Sequence, residues 1–430
     1  MLQRDEVPGP MLKSFFEKCL NNKEDVAYCR KYYSEKTKWR NKKNMNENIE
    51  KKLNEYMQES LFYYDLPGLV VTAGKGDFVY RKAVGFSDFE KKEELTETQF
   101  FHMASVSKTF VSTAIMKLVE EKKLDLNQKI VEILPWFKIE DERIEDITIK
   151  AIITHTAGLP TFKEYNWNKP MIDKMALKDF VMSEDIAKTK LLWSPKENKF
   201  QYSDMGFEIL GCVVSEISGT SFEEYVALNF LKPLGMENTT FLTFRRGMKA
   251  FDGDIDIQID GNFDINNEFD NMQNTDSSLQ AAKFLDLDVL KKVGAAMPHY
   301  KNKENHICLE DCYPYNRRHA PSSTLTSDIY DMEKWARAAI DRTLLLEETY
   351  EKIWTGQTIV PNNGEQMGVG WFIRNEDGLE FLGHEGTDDG FRSSFWICPE
   401  KDAFVIVMSN ISRAPVKKIN KGVFERLCCD

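Results

Sequence analysis

No run of apolar residues in this sequence of 430 approaches the length a bilayer-spanning helix needs, so no membrane partner is expected. The amino end, Met-Leu-Gln-Arg-Asp-Glu-Val-Pro-Gly-Pro, carries acids and prolines where a secretory signal would carry its apolar segment, and the expected location is cytoplasmic. Positive charge is short: the formal net charge of −12 argues against a protein that coats nucleic acid. The eight cysteines (Cys19, Cys29, Cys212, Cys308, Cys312, Cys398, Cys428 and Cys429) lack metal-like spacing. Cys308 and Cys312 have no second pair to complete a tetrahedral site, so reduced thiols are expected, with no metal or other cofactor. The terminal Cys428-Cys429-Asp430 lacks a C-a-a-X signal. Around the serine considered below there is also no G-x-S-x-G elbow, and no His/Asp pair is arranged by sequence to activate it.

What remains is an ordinary globular composition, 42% hydrophobic and 29% charged, too long for one ordinary core. Residues 1–45 read as an extension. Its Arg30-Lys-Tyr-Tyr-Ser-Glu-Lys-Thr-Lys-Trp-Arg40 interleaves bases with aromatics, but in an acidic chain a surface helix or a mobile arm is the expectation. A helical pattern begins at Asn48, with Ile49, Leu53 and Met57 spaced by four. Strand patterns follow at residues 68–73 and 77–84 around Gly74-Lys-Gly76, and return at 369–374, 379–382, 393–397 and 403–408. Between them the pattern is mostly helical, and a last helix carries Val416, Ile419, Val423 and Leu427. The expected class is α+β: an antiparallel sheet built from both chain ends and flanked by helices, with a mostly helical lobe inserted. The sheet domain is placed at 46–104 and 320–430 and the lobe at 105–319, with an acidic insertion at 244–318. Residues 252–276 of it hold eight acids and no Lys or Arg. Asp256-x-Gln258-x-Asp260-Gly261 is similar to a calcium loop, but Asn267 stands where a bidentate Glu is required, so a solvated insertion is expected.

Ser105-Val-Ser-Lys108 is the only S-x-x-K, and behind it Phe110, Val111, Ala114, Ile115, Leu118 and Val119 recur at helical spacing. A Lys three positions on can reach the Ser105 hydroxyl, and the helix amino end favours negative charge developing there. About two chance matches are expected in a chain this long, so the tetrapeptide alone assigns nothing. A Ser–Lys nucleophile needs a neutral amine, so Lys108 is expected to be buried or held near cations that lower its pKa. A second proton carrier is needed for the leaving group. Tyr202-Ser-Asp204 is the candidate, although Tyr63-Tyr-Asp65 fits the same Y-x-[ND] pattern. The third element is His384-Glu-Gly386, preferred over Lys292-Val-Gly294 because strands flank it.

S-x-x-K, Y-x-[ND] and [KH]-x-G in that order resemble the serine β-lactamase and penicillin-binding-protein superfamily. Ile153-Thr-His-Thr-Ala-Gly-Leu-Pro160 resembles a segment of its class C β-lactamase-like hydrolases, and the stretches around Tyr202, Pro233-Leu-Gly-Met236 and Ala320-Pro-Ser-Ser-Thr-Leu-Thr-Ser327 are similar to the same group. The resemblance covers residues 50–427 apart from the insertion, and implies an α/β sandwich of β-lactamase/transpeptidase type. It also implies roles: Ser105 the acylated nucleophile, Lys108 its base, Tyr202 the proton relay, and the amides of Ser105 and Thr387 the oxyanion hole. Asp204 stands where true β-lactamases have Asn, His384 where they have the Lys of K-T-G, and Pro195-Lys196 where relatives have Pro-Gly. The His resembles esterases, peptidases and D-aminopeptidases more than dedicated β-lactamases. Gly386 and Arg392 are supporting candidates, Arg392 for a substrate carboxylate or a surface ion pair. The expected activity is hydrolysis of a small ester or peptide-like substrate through an acyl-enzyme. The alternatives are a weakly active binding or scaffold protein and, third, a true β-lactamase.

Overall fold

The computed structural model describes residues 23–161, 173–241, 294–311 and 313–428, short pieces between 258 and 291, and for 23–41 the backbone alone. Most of the acidic insertion lies outside the described residues, as do Lys292 and Cys312; of the calcium-like loop only Gln258–Ile259 and Phe263–Asp264 are described, as a pair of antiparallel strands. The chain divides into two units, residues 1–55 and 56–430. The first is helical over its described residues. The helix is α1, Lys23–Tyr63, so the basic and aromatic stretch at 30–40 is helical backbone.

The second unit is organised by a nine-stranded antiparallel sheet. Its strands are β1 (Gly68–Lys75), β2 (Phe78–Asp88), β3 (Glu93–Glu94), β4 (Thr358–Ile359), β5 (Gln366–Met367), β6 (Phe372–Glu376), β7 (Leu379–Asp388), β8 (Phe391–Cys398) and β9 (Ala403–Ser409). The order β4-β5-β6-β7-β8-β9-β1-β2-β3 makes the first and last strands neighbours, with Val70 paired to Met408. One antiparallel sheet from both chain ends is the expected class. β9, Ala-Phe-Val-Ile-Val-Met-Ser, is buried at every position because both faces are covered, which is why it reads as a continuous apolar run and not an alternation.

Phe404, Ile406 and Met408 face the main core, which also holds the helices α2 (Ser107–Glu120), α3 (Asp204–Ser218) and α4 (Ile329–Ile340). The opposite face takes the last helix, α5 (Val416–Cys428), whose Ile419 and Val423 are buried and whose Asn420 donates to the Val405 carbonyl at 2.8 Å. α2 is buried nearly all round, its Ser107, Lys108, Thr109, Ser112 and Thr113 included, with Phe110 stacked on Trp335 at 3.8 Å.

Strand boundaries differ from the pattern-based ones where glycine intervenes. The first hairpin turns at Gly76-Asp77, not at Gly74-Lys-Gly76, since Lys75 still pairs with Phe78. β7 runs six residues past Leu382, so His384 lies within a strand and not after one. Arg392, one residue before the strand pattern at 393–397, is paired with Thr387 inside β8. Among the described residues no helix is long and apolar enough to cross a membrane.

Candidate active site

Ser105 sits in a 3-10 turn, Ala104–Val106, that leads into α2. In such a turn residues three apart lie over one another, and Lys108 Nζ donates to Ser105 Oγ at 3.0 Å. Ala104 has φ 48°, a left-handed conformation that costs a residue with a Cβ about 1–3 kcal/mol and persists only where neighbours enforce it. They do. Ser107 Oγ donates to the Ala104 carbonyl, Ser393 Oγ donates to that of Met103, and the Met103 amide is tied to the Leu325 carbonyl, each at 2.7 Å.

Tyr202-Ser-Asp204 forms the amino end of α3. Ser203 is the N-cap, accepting from the Gly206 amide at 3.3 Å, and Asp204 occupies the first turn, where the helix dipole favours its charge. His384 comes from β7. Beyond the last β6 pairing, Phe372 with Gly383, residues 384–388 of β7 keep only their β8 partners, leaving a free edge. Gly386 is required there: a Cβ would collide with the Met103 carbonyl and Ser393 Oγ, so β7 could not lie against the segment carrying Ser105. Thr387 follows it and is exposed.

The Lys108 amine is fully buried and spends its three protons on Ser105 Oγ, on Asp204 Oδ1 at 2.6 Å and on the Ser322 carbonyl at 2.7 Å. Burial alone would lower its pKa, but the Asp204 carboxylate, helped by Tyr202, outweighs that and raises it. The resting group is therefore an ammonium, the reverse of the lowered pKa expected from the sequence. Tyr202 interacts with both Lys108 and Ser105. Burial raises its phenol pKa against the pull of the ammonium. His384 Nδ1 lies 2.6 Å from the Glu385 carbonyl, which can only accept, so Nδ1 carries the proton. Its Nε2 is buried and has no hydrogen-bond partner among the described residues, and burial with the nearby ammonium pushes the imidazole down to about 3. It is neutral, unlike the lysine whose place it takes in the resemblance.

Arg392 is 2.9 Å from the carbonyls of both Asp388 and Phe391, so its guanidinium braces the β7–β8 turn. Tyr63 and Asp65, the competing Y-x-D, lie at the end of α1 and just beyond it, with Asp65 Oδ2 2.9 Å from Lys301 Nζ.

Several residues were not singled out by sequence reasoning. His155 is buried at φ 57°, stacks on the Tyr202 ring at 4.5 Å, accepts the Ser203 amide on Nδ1 at 3.1 Å and takes the Gln201 amide on its own carbonyl at 2.7 Å. It thus grips the residues on both sides of the tyrosine. Below the site, Ser322 Oγ donates to the fully buried Glu208 at 2.5 Å, and His319 Nδ1 lies 3.1 Å from the same oxygen. The string Thr-His-Thr-Ala-Gly-Leu-Pro marked the first; a lone acid in the apolar run of α3 was the signal for the second. Among the described residues no cluster of His, Cys, Asp and Glu could hold a metal ion.

Residues 49–426 match the family model described as Beta-lactamase. Protein flp of Staphylococcus aureus (strain MW2) is 24% identical over 363 residues, 82% of this chain; the chain spans 61% of that relative's length. An octameric penicillin-binding protein homologue from Pyrococcus abyssi superposes with a TM-score of 0.67 at 22% identity, covering 87% of this chain and 76% of that one. A D-stereospecific amidohydrolase from Streptomyces sp. gives 0.66 at 17% identity, covering 87% and 98%. The structural likenesses are likenesses of fold.

Proposed function

The chain belongs to the β-lactamase family of serine hydrolases, and we propose that it cleaves a small ester or amide by passing the acyl group through Ser105. The observation that carries this is the 3.0 Å contact between Lys108 Nζ and Ser105 Oγ, with Tyr202 touching both. Ser105 Oγ attacks the carbonyl carbon and its proton passes to the neutral form of Lys108. The amides of Ser105 and Thr387 receive the oxyanion, Thr387 from the free edge of β7. Tyr202 hands the proton to the leaving alkoxide or amine as the C–O or C–N bond breaks. Water, deprotonated through the same pair, then releases the acid and restores Ser105. Asp204 keeps the neutral amine scarce near neutral pH, so turnover rises as pH rises.

The expected localisation is cytoplasmic, and the expected partner is a small ester or peptide-like substrate, with no nucleic acid and no membrane. Arg392 is read as a brace of its hairpin and not as a substrate anchor. A second reading, a weakly active member kept for binding, is favoured by the same Lys108–Asp204 pair. One experiment separates them. Wild type and Ser105→Ala are assayed from pH 6 to 10 with p-nitrophenyl acetate, a D-amino-acid amide (the Streptomyces neighbour being named an amidohydrolase) and nitrocefin, alongside fluorophosphonate labelling. Turnover and labelling lost in Ser105→Ala support the hydrolase. Equal labelling of both proteins refutes it.

A further inference from the structure

A cavity of about 620 Å³ opens between the loop that precedes Tyr202 and the outermost strand, β4. Its apolar wall is Trp193 and Phe200 on the loop side and Ile359 and Pro361 on the strand side. The volume lies within the range of small-molecule sites. The loop wall is fixed. Ser194 and Glu197 close a capping box, Trp193 Nε1 donates to the Lys199 carbonyl at 3.1 Å, and Asn198 turns the chain at φ 51°. Thr358 Oγ1, on β4, donates to the Asn198 carbonyl at 3.5 Å, an exposed contact that joins strand and loop. Lys199 stands at the rim with its charge paired to Glu197 at 2.6 Å. Ile359 is 70% exposed and Leu192, beside Trp193, 51% exposed. A wet isoleucine on an edge strand is a liability that proteins ordinarily avoid.

Ring contacts lead from Phe200, in the cavity lining, to the active site. The Phe200 ring packs edge-on to His155 at 5.7 Å and lies 6.5 Å from Phe372. Phe372 in turn stacks near-parallel to Tyr202 at 6.4 Å and edge-on to His384 at 4.9 Å. A row of ring contacts therefore links the cavity to Tyr202 and His384, the two residues flanking the Ser–Lys pair.

We propose that this cavity is an apolar subsite of the active site, receiving an aliphatic or aromatic group of the substrate whose acyl group is passed to Ser105. The inference rests on the hydrolase reading above and adds the substrate class: an ester or amide with a bulky uncharged apolar group on one side of the scissile bond.

The test is a pair of substrate series on the full-length protein. One varies the acyl chain of p-nitrophenyl esters from acetate to hexanoate; the other varies the alcohol of acetate esters from ethyl to phenylethyl. In at least one series kcat/KM rises by about tenfold or more from the small to the large member, the discrimination an apolar pocket supplies. Ile359→Asp and Trp193→Ala bring that large-to-small ratio towards unity, while Met182→Asp, an exposed apolar residue elsewhere, leaves the ratio as it was. Flat series in wild type, or ratios unmoved by Ile359→Asp, overturn the subsite. A second measurement does not need turnover. Hexanamide added to Ser105→Ala protein gives a saturable change in the fluorescence contributed by Trp193, obtained by difference from the Ser105→Ala/Trp193→Phe protein, with a Kd about tenfold below that of acetamide. If that change is absent the subsite is refuted; if it is present without Ser105-dependent turnover, the subsite stands and the hydrolase reading falls.

Discussion

Asp204 and Glu208 lie one turn apart on the same face of α3, and their surroundings make them different instruments. Asp204 is at the helix mouth, 16% exposed, with an ammonium 2.6 Å away. Glu208 is fully buried, and its partners are a hydroxyl and an imidazole. Burial raises the Glu208 carboxyl pKa, and the Asp204 charge adds to the rise. The upper acid sets the charge of Lys108. The lower one sets geometry: it holds Ser322, whose carbonyl takes one of the three Lys108 protons. A carboxylate that touches the base tunes the chemistry, and one that touches only its scaffold tunes position.

The largest effect that bears on this contrast is loss of Lys108 itself. Lys108→Ala is expected to lower kcat/KM by about 10³-fold or more, as for other members of a nucleophile–base unit. A variant retaining a tenth of wild-type activity would make the contrast irrelevant to catalysis. Asp204→Asn comes next. With the carboxylate in place the amine's pKa is raised, and below that pKa the neutral form falls about tenfold per pH unit. Removing the charge lowers the pKa, so the rising limb of the pH–rate profile moves to lower pH and the rate at pH 7 increases about tenfold per unit moved. An unmoved limb would show that Asp204 does not govern Lys108.

Glu208 should behave otherwise. Glu208→Gln keeps an acceptor for Ser322 and leaves the position of the limb alone. Glu208→Ala removes the carboxylate that Ser322 and His319 share and costs about 1–3 kcal/mol, read by urea unfolding. A limb shifted by Glu208→Gln as far as by Asp204→Asn would erase the distinction. The smallest effect belongs to Arg392→Gln, which loses bonds to two carbonyls of its own turn. Stability is expected to fall by about 1 kcal/mol, and KM for a substrate bearing a carboxylate stays unchanged.

What the sequence made legible were short strings whose members stay close in space. Ser105 and Lys108 are three apart, and Tyr202 with Asp204 brackets a helix cap, so local geometry carries each pair into place. Contacts across long separations were not legible: Ser322 reaches Lys108 over 214 residues and Glu208 over 114. Glycine misled the strand reading. Gly383 and Gly386 look like punctuation, yet β7 runs through both, because the second is there to let two backbones touch. Burial is one of the two surroundings the sequence leads one to expect for Lys108, but the sign of its shift is not legible there: burial is the largest single cause and lowers the pKa, and only Asp204 together with Tyr202 outweighs it.

The pairing of Val70 with Met408 also has a consequence in time. Ser105 and Lys108 emerge from the ribosome early, but the strand that walls them ends at Asp388, and β9, which joins it through β8 to β1, ends at Ser409. Closing a loop of that length is slow compared with forming local helices. The Ser–Lys pair is made well before the edge of β7 and waits, unassembled, until β8 and β9 follow. A chain released before β7 would carry the Ser–Lys pair without the edge that lies beside it, and the candidate site is assembled only when β9 meets β1.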